Sequence, residues 1–275
     1  MRKWGMSDRA RENLIRMIDQ RRRAFRNGIS PADQAIIDER KRQAKERRIE
    51  RAIGECGIPL RFYDADHTFR QNERYEPFVV DTDNELAYRT LRDRVASWKI
   101  GDKGVIVASP TCGNGKTYLM SAAAISLIRR GFSVRMTTVA KLLDRFRDSF
   151  GNIYAKNPYA GSTADLMAEM TTCGVLILDE LGGEAIKTDD RGNWAREQIL
   201  KILDERWNSK LAVFGTTNLR PKPWMDNGRL VHESNIMDHY GQRTYSRLMS
   251  LADYVVMFGP DRRNPACVDD LFVDG

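Results

Sequence analysis

Residues 113–117 combine the residue types that hold the phosphates of a nucleoside triphosphate. A phosphate needs a concave row of backbone N–H groups at a helix N-terminus, a lysine for the outer phosphates and a hydroxyl for Mg²⁺. Gly113 and Gly115 permit that backbone, Lys116 supplies the cation and Thr117 supplies the hydroxyl. A buried strand from 104 and a helix over 117–130 flank the loop, so the segment predicts a phosphate-binding loop.

Position 110 departs from the pattern G-x-x-x-x-G-K-[ST], because Pro110 stands where the first glycine would be. Proline has no N–H and fixes its φ at about −65°. The phosphate donors are therefore expected from residues 111–117, and a loop that fails at Pro110 would leave a folded binding module without ATPase activity. The residues predicted to bind nucleotide here are Thr111, Cys112, Gly113, Asn114, Gly115, Lys116, Thr117 and Tyr118.

Two later apolar segments end in polar residues that suit the same chemistry. The apolar run of the segment 173–183 is followed by Asp179 and Glu180. This is the position where a carboxylate that organises Mg²⁺ and a base that activates water are expected. The segment 211–219 ends in a polar run that includes Asn218. Because ligands of a parallel sheet lie outside the carboxyl ends of its strands, the three motifs should meet in one crevice. An ATPase or GTPase is predicted.

The remaining pattern predicts helices that alternate with strands, as in an α/β fold with a parallel sheet flanked by helices. Strands are also expected at 132–138 and 254–259, and helices at 82–99, 139–150, 193–209 and 241–250. The chain after Asn218 is too short for a large helical lid domain.

The basic character of the chain lies at its N-terminus. Residues 1–52 hold 16 Lys and Arg against 8 Asp and Glu, while the whole chain has a net charge of +7. A helix is expected from Ser7 to about Gly28, and a second from Pro31 to Gly57 with an exposed middle. Such a surface attracts nucleic acid or an acidic protein face, or is a solvated helix surface. The division expected is a helical arm (1–56), a connector (57–81) and an ATPase domain (82–275).

Neither a membrane span nor a disulfide framework is indicated. No apolar run reaches the length that crosses a bilayer, and the N-terminus has no apolar signal core. The four cysteines are far apart and without C-x-x-C spacing. A cytoplasmic protein is expected.

Two segments after the second strand have residues that suit nucleic acid. Lys141, Arg145 and Arg147 lie on the helix 139–150, where they either contact DNA or solvate a helix whose apolar face meets the core. The segment 151–161 interleaves aromatic residues with Lys156, which suits stacking on single-stranded bases or an ordinary surface loop.

As a set, the motifs resemble the DnaC/IstB branch of AAA+ ATPases, which includes bacterial and phage replicative helicase loaders. The resemblance covers about 57–263 and rests on GIPLRFYDADHTF, TCGNGKTYL, VRMTTVAKLLDRFRDSF, LDELG, TTNL, GQRTYSRL and FGPDRR. It implies a P-loop AAA+ (ASCE) sheet with an N-terminal helical arm and a reduced C-terminal lid.

The resemblance also implies roles for the nucleotide site. Lys116 would hold the β- and γ-phosphates of ATP, and Thr117 and Asp179 would bind Mg²⁺. Glu180 would polarise the attacking water, which Asn218 helps to place.

For the arginines, the resemblance implies contacts with the γ-phosphate. Arg243 would be the arginine finger offered to the neighbouring subunit, with Arg247 as its companion or substitute. Arg263, or less securely Arg262, would act in its own subunit. A trans-acting arginine requires head-to-tail contacts, which form rings or open spirals.

The leading hypothesis is an ATP-dependent loader of a DnaB-type replicative helicase. The arm would hold the helicase, and single-stranded DNA would bind Lys141, Arg145, Arg147 and, by resemblance, Phe150. The alternatives are a transposition-helper ATPase of the IstB kind on duplex DNA, and an adaptor that binds helicase or nucleic acid without hydrolysis.

Overall fold

A computed structural model of the chain describes residues 30–69, 78–150, 162–184, 190–226, 229–231 and 235–263, with a few positions between 9 and 19. Of the helix predicted from Ser7, positions 9, 12–13 and 15–19 are described and are helical. The segment 151–161 lies outside the described residues. Backbone contacts divide the chain into two units, Met1–Glu50 and Arg51–Gly275.

Helix α1 (Pro31–Cys56) begins where the sequence predicts it. The Oγ of Ser30 accepts a hydrogen bond from the backbone N–H of Asp33 at 3.1 Å, which satisfies one donor of the first turn. The helix ends before Gly57, which has a φ of +97°. Every side chain from 40 to 48 is exposed, because this stretch has almost no apolar residues.

The second unit contains a parallel sheet and a separate hairpin. The strands are β1 (Gly104–Ala108), β2 (Val134–Thr138), β3 (Val175–Leu181), β4 (Val213–Thr217), β5 (Trp224–Asp226), β6 (Arg229–Val231) and β7 (Ala252–Val256). Five of them form one sheet in the order β2-β3-β4-β1-β7, and β5 and β6 form an antiparallel pair. Neighbours in the large sheet are parallel. Thr138 pairs with Asp179 and Ala108 with Thr217, so the carboxyl ends of the strands align at one edge.

Helices connect the strands, as parallel strands require. A 3₁₀ helix at Leu60–His67 and α2 (Glu85–Ser97) precede β1, and the helices between strands are α3 (Lys116–Arg129), α4 (Val139–Phe150), α5 (Thr163–Thr172), α6 (Asp190–Asn208), α7 (Ile236–Tyr240) and α8 (Gln242–Leu251). The core includes α4, α6 and α8 residues such as Phe146, Ile199 and Leu248 packed with the sheet. The predicted fold class, a parallel sheet flanked by helices, is confirmed.

The structure differs from the predicted secondary structure in the position of the last strand, and it contains elements that were not predicted, among them the β5–β6 pair. The last strand, expected at 254–259, is Ala252–Val256, because α8 ends at Leu251 and the next residue already pairs with Gly104 of β1. Helix α5 was not predicted, although Ser162 and Asp165 form a reciprocal capping box at its start. Within the described residues, no helix is long and apolar enough to span a membrane.

One buried arginine joins the amino ends of the central strands to α6. Arg206 has no exposed surface, and its guanidinium donates to the carbonyl oxygens of Met170, Cys173 and Ala212 at 2.8, 2.9 and 2.7 Å. The first two carbonyls lie at the end of α5, and the third precedes β4. Burial lowers the pKa of Arg206, and Cys173 opposes the shift. Arg206 therefore satisfies backbone groups that the fold hides from water.

Replacing Arg206 with Met removes these donors but keeps much of the side-chain volume. We expect the free energy of unfolding to fall by about 3 kcal/mol, because several buried carbonyls lose their partners. In the matched control Arg89→Met, an exposed arginine paired with Glu85 at 2.6 Å is lost, and the expected change is below about 0.5 kcal/mol. Urea unfolding monitored by circular dichroism measures both. Equal stability of Arg206→Met and the unmodified chain would contradict the role of Arg206.

Candidate active site

The phosphate loop joins the end of β1 to the first turn of α3. Gly113 and Gly115 have φ values of +72° and +102°, which favour glycine. A Cβ on Gly115 would lie 2.7 Å from Cε2 of Phe78, and one on Gly113 would overlap the carboxylate of Asp261. Both positions need glycine for conformation and for space. Because α3 begins at Lys116, the unpaired N–H groups of its first turn face the loop.

Lys116 is buried within this loop, with 7% of its surface exposed. Its Nζ donates to the carbonyl oxygen of Thr111 at 2.6 Å and to Oδ1 of Asn114 at 3.3 Å. Burial lowers the pKa of Lys116, and the charge of Asp179 acts in the opposite direction. A phosphate oxygen that reaches the Lys116 ammonium has to replace only these two neutral acceptors. A charged acceptor forms the stronger hydrogen bond with an ammonium.

Asp179 lies at the carboxyl end of β3 and is 4% exposed. Its Oδ1 accepts hydrogen bonds from Oγ1 of Thr117 at 3.1 Å and from Oγ1 of Thr216 at 2.5 Å. Burial raises the pKa of Asp179, while the hydrogen bonds from Thr216 and Thr117 lower it. Carboxylate and hydroxyl oxygens are hard donors of the kind Mg²⁺ takes. Thr117 and Asp179 thus fit a magnesium site that would also use nucleotide phosphates.

Glu180 follows Asp179 but points to the solvent side of the strand end. Its backbone has a φ of +56°, which is uncommon for a residue other than glycine. Its N–H donates to Oγ1 of Thr216 at 3.0 Å, and its carbonyl accepts the N–H of Gly183 at 2.9 Å. We call residues 180–183 the Glu180 turn. This turn holds the Glu180 carboxylate outside the sheet, where a base can reach water.

Asn218 extends from the end of β4 to the phosphate loop. Its Nδ2 donates to the carbonyl oxygen of Pro110 and to Sγ of Cys112, both at 3.4 Å. The N–H of Thr111 donates to Oγ of Ser109 at 3.2 Å. Pro110 therefore contributes an acceptor to the site, and the lost N–H of position 110 lies before the loop's two glycines.

The chain after β7 packs on the phosphate loop. The N–H of Arg262 donates to the carbonyl oxygen of Gly113 at 3.1 Å, and Nδ2 of Asn114 donates to the carbonyl oxygen of Phe258 at 3.2 Å. This brings the two candidate arginines of FGPDRR beside the nucleotide site.

The two arginines differ in their partners. Arg262 pairs with Asp81 and lies 5.8 Å from the ring centroid of Phe78. Arg263 pairs with Asp261 at 2.8 Å, and these hydrogen bonds lower the pKa of Asp261 to about 2. The side chain of Arg263 is 64% exposed and that of Arg262 is 30% exposed. Arg263 is therefore the more accessible of the two.

Arg243 and Arg247 lie one turn apart on α8 and share Asp204 as a neighbour. Arg247 Nε donates to Asp204 Oδ1 at 2.5 Å, and its guanidinium lies 4.2 Å from the ring centroid of Trp207. Arg243 is 3.9 Å from the other oxygen of Asp204, and 80% of its side chain is exposed. Arg243 is the arginine that α8 presents to the outside, whereas Arg247 is held within the chain.

The structure places the predicted DNA residues on the outer surface of α4. Lys141 is exposed, Arg145 pairs with Glu169 at 3.0 Å and Arg147 pairs with Asp144 at 2.8 Å. The side chain of Phe150 lies outside the described residues. The two arginines thus have carboxylate partners in the same chain.

Several residues at the site have contacts that the sequence did not predict. Thr216 links Asp179 to the backbone of Glu180; its only signal was a polar residue at the end of a buried strand. Tyr118 packs on Phe78, with ring centroids 6.1 Å apart. The sequence indicated no role for His239, whose Nε2 lies 3.3 Å from Oε1 of Glu184. No local pattern marks such a contact.

The fold and the site together define a P-loop nucleotide-binding protein of the AAA+ class. The chain belongs to the family of IstB-like ATP binding proteins, whose family model matches residues 20–238.

Similar proteins include bacterial helicase loaders. The replicative helicase loader DnaC of Escherichia coli K12 is 24% identical over 209 residues, which are 75% of this chain and 72% of that protein. The DnaC of Buchnera aphidicola subsp. Schizaphis graminum is 25% identical over 181 residues, 65% of each protein.

Solved structures are similar in fold. A crystal structure of the DnaC helicase loader has a TM-score of 0.54 and 21% identity, and covers 72% of this chain and 99% of that chain. AMPPCP-bound DnaA from Aquifex aeolicus has a TM-score of 0.52 and 14% identity, and covers 73% of this chain and 51% of that chain.

The raised pKa of Asp179 predicts a conflict between stability and metal binding. The native chain binds a proton more tightly at Asp179 than the unfolded chain does, so stability is lost as the pH rises through the native pKa. Asp179→Asn removes the free-energy cost of ionising this buried carboxyl. It keeps an oxygen that accepts the hydrogen bonds of Thr117 and Thr216. We expect a higher midpoint of thermal unfolding at neutral pH without nucleotide, and loss of the further stabilisation by ATP and Mg²⁺.

Differential scanning fluorimetry with and without ATP and Mg²⁺ measures both effects. The control Asp93→Asn changes a carboxylate that is 66% exposed and pairs with Arg92; it should leave both midpoints unchanged. A lower midpoint for the nucleotide-free Asp179→Asn chain, or undiminished stabilisation by ATP and Mg²⁺, would contradict the assignment.

Proposed function

We propose that the chain is an ATPase that loads a DnaB-type replicative helicase onto single-stranded DNA and uses hydrolysis to switch helicase release. The observation that carries the ATPase part is the convergence of Lys116, Thr117, Asp179 and Glu180 at one edge of the sheet. The loading part is supported by curated relatives named as replicative helicase loaders.

In the proposed mechanism, the loop backbone and Lys116 bind the outer phosphates of ATP. Thr117 and Asp179 would hold Mg²⁺, which would neutralise negative charge on the phosphates. Glu180 takes up a proton from the attacking water, and Asn218 orients that water from the neighbouring strand end. The hydrogen bonds of Thr216 keep Asp179 and Glu180 in fixed positions, which catalysis by orientation requires.

The arginines are assigned by their exposure. Arg243 serves the ATP of the next subunit, because its side chain is exposed and its carboxylate neighbour is 3.9 Å away. Arg247 supports Arg243 by holding Asp204. Arg263 contacts the γ-phosphate in its own subunit, after exchanging Asp261 for the phosphate. Arg243 acting in trans implies a head-to-tail spiral or ring.

The partner surfaces follow from charge. The exposed cations of α1 bind the helicase, and Lys141, Arg145 and Arg147 line the DNA path of the spiral with Phe150. The carboxylate partners of the two arginines are weak surface pairs, each worth about 0–1 kcal/mol, so phosphates can replace them. A transposition helper on duplex DNA and a non-hydrolysing adaptor are tested by the experiments below.

ATP turnover tests the catalytic assignment. In the unmodified chain, turnover should rise more than linearly with protein concentration, because each site needs a neighbour. Glu180→Gln should lower it by about 10²- to 10⁴-fold, the range typical of a general base. Arg243→Ala should lower it by at least about 10³-fold, the range typical of an arginine finger. Ser250→Ala, at an exposed position near the end of the same helix, should change turnover less than about twofold and is the matched control.

The affinity of each variant and of the unmodified chain for a fluorescent ATP analogue is measured alongside ATP turnover. Unchanged affinity in the Glu180 and Arg243 variants would place their defects in hydrolysis. Nucleotide binding with no turnover of the unmodified chain at any concentration, with or without single-stranded DNA, would contradict the ATPase and leave the adaptor. Stimulation by duplex DNA alone would favour the transposition helper.

The arm is tested by its charge. Replacing four exposed cations of α1 with Gln should weaken capture of the helicase by at least about tenfold, because complementary charge contributes to its binding. ATP affinity should not change. The four are Arg40, Lys41, Lys45 and Arg47.

A matched control replaces four exposed cations of the second unit, and should bind the helicase normally. These are Arg89, Arg92, Lys99 and Lys201. Equal helicase capture by both sets in a pull-down would contradict the assignment of the arm.

A further inference from the structure

Glu184, His239 and Tyr240 form a hydrogen-bonded group, here named the Tyr240 cluster, between the Glu180 turn and the end of α7. The Oη of Tyr240 donates to Oε1 of Glu184, and Nε2 of His239 lies 3.3 Å from the same oxygen. The Oη of Tyr240 also accepts the N–H of Gly182 at 2.8 Å. One hydroxyl thus contacts both the turn and the carboxylate that follows it.

The cluster is shielded from water. Tyr240 is 2% exposed, and the side chain of Glu184 is 5% exposed. Burial, and then the charge of Glu184, raises the pKa of Tyr240 well above its ordinary value, so its hydroxyl stays protonated and donates. Among the described residues, Oε2 of Glu184 is buried without a hydrogen-bond partner.

The cluster lies between the two groups that hydrolysis needs from each subunit. On one side, Gly182 is two residues from Glu180. On the other side, Tyr240 ends α7, and Gly241, with a φ of +90°, is the single residue between α7 and the first residue of α8. Arg243 follows in the first turn of α8. The carbonyl oxygen of His239 also accepts a hydrogen bond from Nε of Arg196 on α6 at 2.8 Å. This bond holds the end of α7 against α6.

We propose that the Tyr240 cluster is a positioning element that sets Glu180 and Arg243 of one subunit relative to each other. A shift of the Glu180 turn then moves the start of α8, so the state of a subunit's own site changes the position of the arginine that it offers to its neighbour. The inference rests on the proposed function, because it requires Arg243 to act in trans.

Mixed assemblies separate the two sides of the cluster. A Glu180→Gln chain offers Arg243 but cannot hydrolyse ATP, and an Arg243→Ala chain hydrolyses but offers no arginine. Their mixture should recover turnover at junctions between the two chains. Tyr240→Phe is then added to one chain or to the other. We expect turnover to fall about tenfold from either placement, the effect of losing one well-made hydrogen-bond network.

Each outcome has a separate meaning. A tenfold loss from both placements supports the inference. Loss only when Tyr240→Phe is in the hydrolysing chain would limit the cluster's effect to its own turn, and loss only when it is in the arginine-offering chain would limit the effect to α8. Either of these one-sided results overturns the inference, as does no loss from either placement. A parent mixture without any turnover overturns the trans arginine of the proposed function, and with it this inference.

Controls guard against general damage. Tyr245→Phe removes a hydroxyl from α8 outside the cluster and should change turnover less than about twofold. Each chain must bind the fluorescent ATP analogue with unchanged affinity. If Tyr240→Phe lowers that affinity, Glu184→Ala replaces it, because the Tyr240 hydroxyl can still accept the N–H of Gly182; the same outcomes apply. Glu184→Gln, which keeps the acceptor for Tyr240, should restore most of the turnover lost in Glu184→Ala.

Discussion

The site depends on the hydrogen bonds that converge on Oδ1 of Asp179. Thr117 donates to this oxygen from the first turn of α3, and Thr216 donates to it from the end of β4. Through its other side, the Thr216 hydroxyl accepts the N–H of Glu180. A single carboxylate oxygen therefore links the first turn of α3, the end of β3 and, through Thr216, the Glu180 turn. Its burial raises the energy of the ionised form, which a divalent cation would lower again.

The arginines of this chain illustrate how surroundings decide the use of one side chain. Arg206 is enclosed and donates to backbone carbonyls, so its contribution is to stability. Arg247 is held by Asp204 and Trp207. Arg243, one turn away on the same helix, keeps most of its surface exposed. Arginine is well suited to bind a phosphate, because its planar guanidinium binds phosphate oxygens with little loss of side-chain entropy.

The sequence predicted what is encoded locally and missed what is encoded over distance. The phosphate loop, β3 and β4 were predictable because apolar runs end in residues of distinctive chemistry, and the fold class followed from their order. The capping box of α5 was a local signal that was overlooked. By contrast, the contact of Tyr240 with Gly182 and Glu184, and the pairing of Arg247 with Asp204, join residues far apart in the chain. Their side chains have no spacing rule, since the tertiary fold alone brings them together.

A structure of the Glu180→Gln chain assembled with ATP and Mg²⁺ would test trans catalysis most directly. This variant should trap the assembly before hydrolysis. The guanidinium of Arg243 is predicted within hydrogen-bond distance of the γ-phosphate that Lys116 of the adjacent copy binds. An assembly in which Arg243 faces solvent, while the γ-phosphate is contacted by arginines of its own subunit alone, would contradict it.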